Sequence, residues 1–244
     1  MSESELARVA AQLADLRART SRAGLRAEAL DTLQRRQHGV MPLPPALAEA
    51  LPTGLSRGAT VCVGGSVSLL LAMLGEGSAA GMWCAMVGAP RISAEAAAEY
   101  GIDLARVVVV PRPGPQWATV VGALLDAVDV VVLWPPARLV PGEVRRLMAR
   151  SRARGAVLVV YQGDSPVKIN EWPGAELRLF ARQPEWSGAV AGYGRLMRRS
   201  LVIEVTGRGQ AAQSRSLTLW LPSDGGGVQL RVVDTQPLPV FVAV

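Results

Sequence analysis

Five short apolar runs, each followed by a helical pattern, limit the architectures open to this chain more than any other feature. The runs fall at 59–63, 82–87, 106–110, 129–133 and 156–160. They are near-continuous stretches of Val, Ala, Met and Leu without polar alternation, which is how strands covered on both faces read. Helices are expected at 67–74, 92–100, 116–127 and 142–153. On the third, Trp117, Val120, Val121, Leu124 and Val128 draw one apolar stripe. On the fourth, Val144, Leu147, Met148 and Ser151 do the same. Repetition of strand and helix at this spacing argues for an α/β protein with a mostly parallel sheet and right-handed crossovers.

The style changes after Val160. Runs at 176–181, 201–206, 215–221 and 228–233 are separated by turns rich in Gly, Pro and Asp, and Ser223-Asp224-Gly225-Gly226-Gly227 is a hairpin signal. These runs form either the antiparallel end of a mixed sheet or a small β appendage. Upstream, residues 3–19 read as an amphipathic helix with Glu3 and Glu5 at its start, where negative charge suits the helix dipole. Leu6, Val9, Leu13 and Leu16 form its seam, which docks either on its own domain or on a partner. Gly24 breaks it, a second helical piece covers about 25–37, and a proline-rich connector with a short helix near 44–50 follows. The expected division is an N-terminal helical arm over 1–40, a core over 41–235 and an apolar tail over 236–244. That tail, which contains Phe241, either packs as a last strand or grips a partner.

At 244 residues, half of them apolar, the chain can bury a sizeable core. Its net charge is +6, and of its 26 basic residues only Lys168 is a lysine. Codon bias in a GC-rich genome accounts for the arginine excess; its field still favours anionic partners such as nucleic acid or an acidic protein surface. The single histidine, His38, excludes most histidine-dependent catalysis and zinc chemistry. Cys62 and Cys84 lie inside strand-like runs and read as buried, reduced thiols. The N-terminus MSESELAR lacks a signal-peptide pattern, and the longest apolar stretches are too short to cross a bilayer. A cytoplasmic location without membrane contact is expected.

The stretch LPTGLSRGATVCVGG, residues 51–65, reads as a turn, a strand and a Gly-Gly loop opening into a helix. That is where an α/β nucleotide-binding protein cradles phosphates. A working loop has the form G-x-x-x-x-G-K-[ST], because the lysine meets the outer phosphates and the hydroxyl holds magnesium. Here Gly64, Gly65, Ser66, Val67 and Ser68 follow one another with no lysine for another hundred residues. Gly75, Gly77 and Gly81 do not make a dinucleotide fingerprint, since they are expected to close a helix rather than open one.

Taken in order, this loop, WCAMVGAPRISAEAAAEYGIDLARVVVV, DAVDVVVLWPP and GAVLVVYQGD resemble the core of the RecA recombinase superfamily over about residues 51–207. The resemblance implies a RecA-like fold and points to three losses. The phosphate-loop lysine is missing. Val87-Gly88-Ala89-Pro90-Arg91 stands where the family carries an acid that activates water. Trp134, then Pro135 and Pro136, stand where it carries a magnesium-associated Asp. Without these groups, neither the metal clamp nor the charge neutralisation of phosphoryl transfer remains. Gln162 matches a glutamine that couples nucleotide to DNA in RecA and reads as a relic. The segments that would grip DNA, PPARLVPGE and SPVKINEWPGAE, are short.

Within that superfamily the chain is similar to the ImuA-type mutagenesis accessory proteins. This implies a non-catalytic adaptor without cofactor or metal, acting in damage-induced translesion synthesis beside an ImuB-like Y-family polymerase homologue and an error-prone polymerase. RecA or DNA is a further candidate contact. Two other readings stay open: a SulA-like cell-division inhibitor, and an atypical RecA-like ATPase. The candidate partner or DNA contacts, besides the N-terminal seam and Phe241, are arginines. Arg145, Arg146 and Arg150, with Arg152 and Arg154, lie opposite the apolar stripe of the fourth helix. Arg195, Arg198 and Arg199 follow Gly192-Tyr193-Gly194 on an expected loop. Trp134, at the carboxyl edge of a parallel strand, either fills the emptied site or anchors a partner.

Overall fold

The valine-rich runs become the parallel half of one nine-stranded sheet. The computed structural model describes residues 39–51, 54–89, 92–136, 138–163, 172–190, 193–208, 214–223 and 227–231. The N-terminal seam residues Leu6, Val9, Leu13 and Leu16, the helices expected over 3–37, Lys168 and the tail with Phe241 lie outside the described residues. The strands are β1 (Val40–Met41), β2 (Leu55–Ser56), β3 (Thr60–Gly64), β4 (Cys84–Val87), β5 (Val107–Val110), β6 (Val130–Leu133), β7 (Val157–Tyr161), β8 (Leu177–Val190), β9 (Tyr193–Gly207), β10 (Arg215–Trp220) and β11 (Gln229–Arg231). The helices are α1 (Pro45–Ala48), α2 (Val67–Ala79), α3 (Ala94–Glu99), α4 (Trp117–Ala127) and α5 (Pro141–Arg154).

The sheet order is β11-β10-β9-β8-β3-β7-β6-β4-β5. From β5 to β8 every neighbouring pair is parallel; β8, β9, β10 and β11 pair antiparallel. The C-terminal runs are therefore the antiparallel end of the same sheet, not an appendage. A separate two-stranded sheet, β1 with β2, forms in the connector, where only a short helix was expected.

Alternate residues of each parallel strand feed two cores. Val61, Val63, Met86, Val130, Val132, Val157 and Val159 face α2, whose Leu69 to Leu74 are buried without interruption. Cys62, Ala85, Val87, Val131, Leu133, Leu158 and Val160 face α4 and α5. The expected stripe of α5, Val144, Leu147, Met148 and Ser151, is the buried one. On α4 the buried face is Trp117, Val121, Gly122 and Leu125, turned slightly from the expected stripe. Burying each large aliphatic side chain contributes roughly 1.5–3 kcal/mol before entropy is set against it.

Three corrections follow from packing. β5 is an edge strand with Val109 exposed, so it is not covered on both faces as the valine run suggested. α2 runs five residues further than expected, to Ala79. Gly75 and Gly77 lie inside it: a Cβ on Gly75 would run into the Tyr100 carbonyl, and one on Gly77 would stand 3.0 Å from Met82 Sδ. Arg195, Arg198 and Arg199 lie on strand β9, not on a loop; Arg198 and Arg199 pair with Ser187 and Trp186 of β8, which overrides their polar pattern, and Arg195 lies in a register shift between paired stretches.

A buried ion pair ties the amino ends of the strands. Arg57 Nη1 meets Asp129 Oδ1 at 2.8 Å, and the Trp83 amide donates to Asp129 Oδ2 at 2.9 Å. Among the described residues no helix is long and apolar enough to cross a membrane.

Candidate functional site

The carboxyl end of β3 is where the sequence places a phosphate loop. β3 ends at Gly64 and α2 begins at Val67, so Gly65 and Ser66 alone join them. Both glycines are required by close neighbours. A Cβ on Gly64 would stand 2.7 Å from the Phe180 ring and 3.2 Å from the Gly163 carbonyl oxygen. Gly65 has φ +80°, and a Cβ there would be driven into the Ala181 carbonyl. The Gly65 amide donates to Gly163 at 2.8 Å. Ser66 caps the helix, its Oγ accepting from the Leu69 amide at 3.4 Å. A phosphate-wrapping loop spans four residues between its glycines and turns its amides inward. This join is shorter, rests against β8 and commits the Gly65 amide to the protein. The residues do not fit a magnesium triphosphate.

Beside the join lies a cleft of about 750 Å³, lined by residues 65–68, residues 180–184 of β8 and Arg199. Arg199 reaches in from β9. Its Nη2 donates to Ser66 Oγ at 3.2 Å, its Nε to the Leu221 carbonyl at 3.0 Å, and its guanidinium lies 5.3 Å from the centre of the Trp186 ring. Half-burial pushes its pKa below the usual arginine value, with the Tyr100 hydroxyl a lesser, opposing influence. Tyr100 in turn hydrogen-bonds Ser68, and burial raises its pKa. Arg182 pairs with Glu204 at 2.8 Å and lies 5.1 Å over the Phe180 ring. Sequence reasoning did not single out Arg182, Trp186 or Phe180; the β3–β8 pairing sets Phe180 against Gly64 with Arg182 close by, and the β8–β9 pairing sets Trp186 opposite Arg199.

The other positions group around the same strand ends. Trp134 follows β6, its amide donates to Val87 at 2.9 Å, and its ring lies 5.3 Å from that of Tyr161. Half-buried against the core facing α2, it fills space there. Gly88 follows β4, with Trp134 O 2.8 Å from where a Cβ would stand, so no side chain can project from that position. The Gln162 amide donates to Val63 at 2.9 Å, and its buried Oε1 meets no hydrogen-bond partner among the described residues. Cys62 and Cys84 are free thiols on β3 and β4, and burial pushes both up to about 12.

The candidate arginines do not converge. Arg145 and Arg146 are exposed on α5. Arg150 and Arg154 instead clamp Asp126 of α4: both Nε atoms donate to Oδ1 at 2.9 Å, and Arg150 Nη2 meets Oδ2. Hydrogen bonding from Arg150, with the charges of both arginines, holds the Asp126 carboxyl below its ordinary value. Arg150 is therefore a helix–helix clamp before it is a nucleic-acid contact. Arg198 donates to Ser187 Oγ at 3.1 Å and lies 4.2 Å over the Trp220 ring.

Comparison with known proteins agrees with this geometry. RadB recombinase superposes with a TM-score of 0.53 at 15% identity, over 75% of this chain and 96% of that one. The flagellar accessory protein FlaH of Methanocaldococcus jannaschii gives a TM-score of 0.53 at 9% identity, over 78% and 98%. At such identities the likeness concerns the fold, which is RecA-like. An uncharacterized protein of Mycobacterium tuberculosis, Rv3395c, is 36% identical over 172 residues, 67% of this chain and 80% of that protein. The family model described as the MT3502 N-terminal domain matches residues 49–174, which contain the whole strand–join–helix unit and β3 to β7, five of the six strands of the parallel half. With that match over half its length, the chain belongs to the MT3502 N-terminal domain family.

Proposed function

We propose that this protein is a non-catalytic adaptor in DNA-damage-induced mutagenesis, of the ImuA type. It docks an ImuB-like Y-family polymerase homologue, with RecA or DNA as a further contact through its arginines. The observation that carries this reading is the two-residue join at Gly65–Ser66, closed by Gly163 and Ala181 within a RecA-like frame. A fold of that kind, whose join lacks the phosphate-loop lysine and commits the Gly65 amide to Gly163, retains its use as a docking block. The segments resembling the RecA core support the placement in DNA metabolism. Direct DNA binding is expected to be weak and steeply salt-dependent.

Calorimetry on the full chain tests the first half of this reading. Magnesium-ATP is expected to give no saturable heat in the micromolar range; saturable binding there would return the atypical ATPase to first place. Disruption of the gene tests the second half, and a fall in damage-induced mutation frequency is expected. Unchanged frequency, with the division tubulin rather than polymerase subunits recovered on the tagged protein, would overturn it in favour of the division inhibitor.

A further inference from the structure

β8 and β9 outrun the sheet they belong to. β8 pairs with β3 only as far as Phe180, and β9 pairs with β10 only from Ser200 to Val205. Yet the two go on pairing with each other to Val190 and Tyr193. The result is a two-stranded ribbon overhanging the carboxyl end of the parallel strands. Trp186, Leu196 and Met197 are 48, 53 and 43% exposed on it. Singly exposed apolar side chains need no explanation, but three together on one projecting element do. Arg198 and Arg199 stand among them, each against an indole. Between residues 183 and 199 the sequence carries three arginines and one acid, Glu185.

We propose that this ribbon is the surface on which the protein docks its partner, and that the occupant is an acidic, apolar segment of a protein. The proposal rests on the adaptor reading and names the face it uses. Tryptophan, methionine and arginine are enriched at protein interfaces, and tryptophan and arginine among the residues that carry most of the binding energy. The arginine charge selects a partner segment bearing Asp or Glu around its apolar side chains. Single-stranded nucleic acid fits less well. Leu196 and Met197 offer nothing to a base or a phosphate, and the Trp186 and Trp220 rings already carry a guanidinium on one face.

The test uses the full chain and the purified Y-family polymerase homologue from the same genome, with binding followed by calorimetry at two salt concentrations. The double variant Leu196→Ser/Met197→Ser and the single variant Arg198→Glu are each expected to weaken binding about tenfold or more. Arg198→Glu should also flatten the salt dependence. Met197→Leu, which keeps the apolar surface, and Val140→Ser, at an exposed position just before α5, are expected to bind as the parent does. Unfolding midpoints within error of the parent separate lost docking from lost folding. A parent that binds together with a double variant that binds equally well overturns the ribbon and leaves the adaptor reading standing. A parent that does not bind the polymerase homologue overturns both. Ribbon-dependent binding to a labelled oligo-dT strand, or ribbon-dependent self-association by sedimentation, in place of polymerase binding, overturns the choice of occupant.

Discussion

Two glycines with the same backbone angle offer a controlled measure of how firmly the join at β3 is closed. Gly65 and Gly101 both have φ +80°, but nothing lies within 4 Å of a Cβ on Gly101. A Cβ on Gly65 meets the Ala181 peptide, 2.9 Å from its carbonyl carbon and 3.0 Å from its nitrogen as well as against its oxygen. Alanine at either position bears the left-handed strain of roughly 1–2 kcal/mol. At Gly65 it must also displace β8 backbone, and overpacking of that kind costs roughly a further 1–3 kcal/mol. Gly101→Ala is therefore expected to cost about 1–2 kcal/mol and Gly65→Ala roughly 2–5 kcal/mol. For a chain of this length the extra penalty lowers the thermal midpoint by roughly 2–12 °C relative to Gly101→Ala. Thermal and urea unfolding of the two full-length variants, followed by circular dichroism, read the difference directly. Equal losses would mean that Ala181 does not press on Gly65. The join would then have room to open, and the argument against a bound triphosphate would fail.

Two further outcomes follow from buried groups. Arg57→Ala removes the guanidinium from the buried Asp129 carboxylate, which keeps the Trp83 amide, so a loss of about 1.5–3 kcal/mol is expected in urea unfolding; a loss below about 1 kcal/mol would show the pair to be solvated. Cys62 and Cys84 stay protonated in the folded chain, with pKa values of about 12, whereas unfolded thiols ionise near 9.0. Their contribution to stability is intact below pH 9.0 and is lost as the pH rises towards 12. The unfolding midpoint should fall over that range more steeply for the parent than for Cys62→Ala/Cys84→Ala, and parallel curves would refute the assignment.

The frame was legible in the residues because burial on both faces leaves a plain mark. Val61–Val63, Val130–Leu133 and Val157–Val160 carry no polar alternation, and a strand of that composition has to lie between two layers. The missing lysine after Gly65 and the absence of a carboxylate beside Trp134 were equally plain, because a motif fails at named positions. Val109 misled, since an edge strand and a central strand can share a composition and differ only in whether a neighbour arrives. Arg198 and Arg199 misled for the opposite reason: polar residues after Gly194 look like a loop until a partner strand supplies their hydrogen bonds.

What the residue order determined by itself was local: which runs are strands, which helix faces are apolar, and at which positions the phosphate-loop motif is not met. Tertiary structure alone decided that Arg199 of β9 reaches Ser66, 133 residues away, that Ala181 presses on Gly65, and that Arg150 is spent on Asp126. Periodicity registers whether a residue is buried. It carries no record of which distant strand does the burying, because that choice rests on packing and pairing summed over the whole sheet.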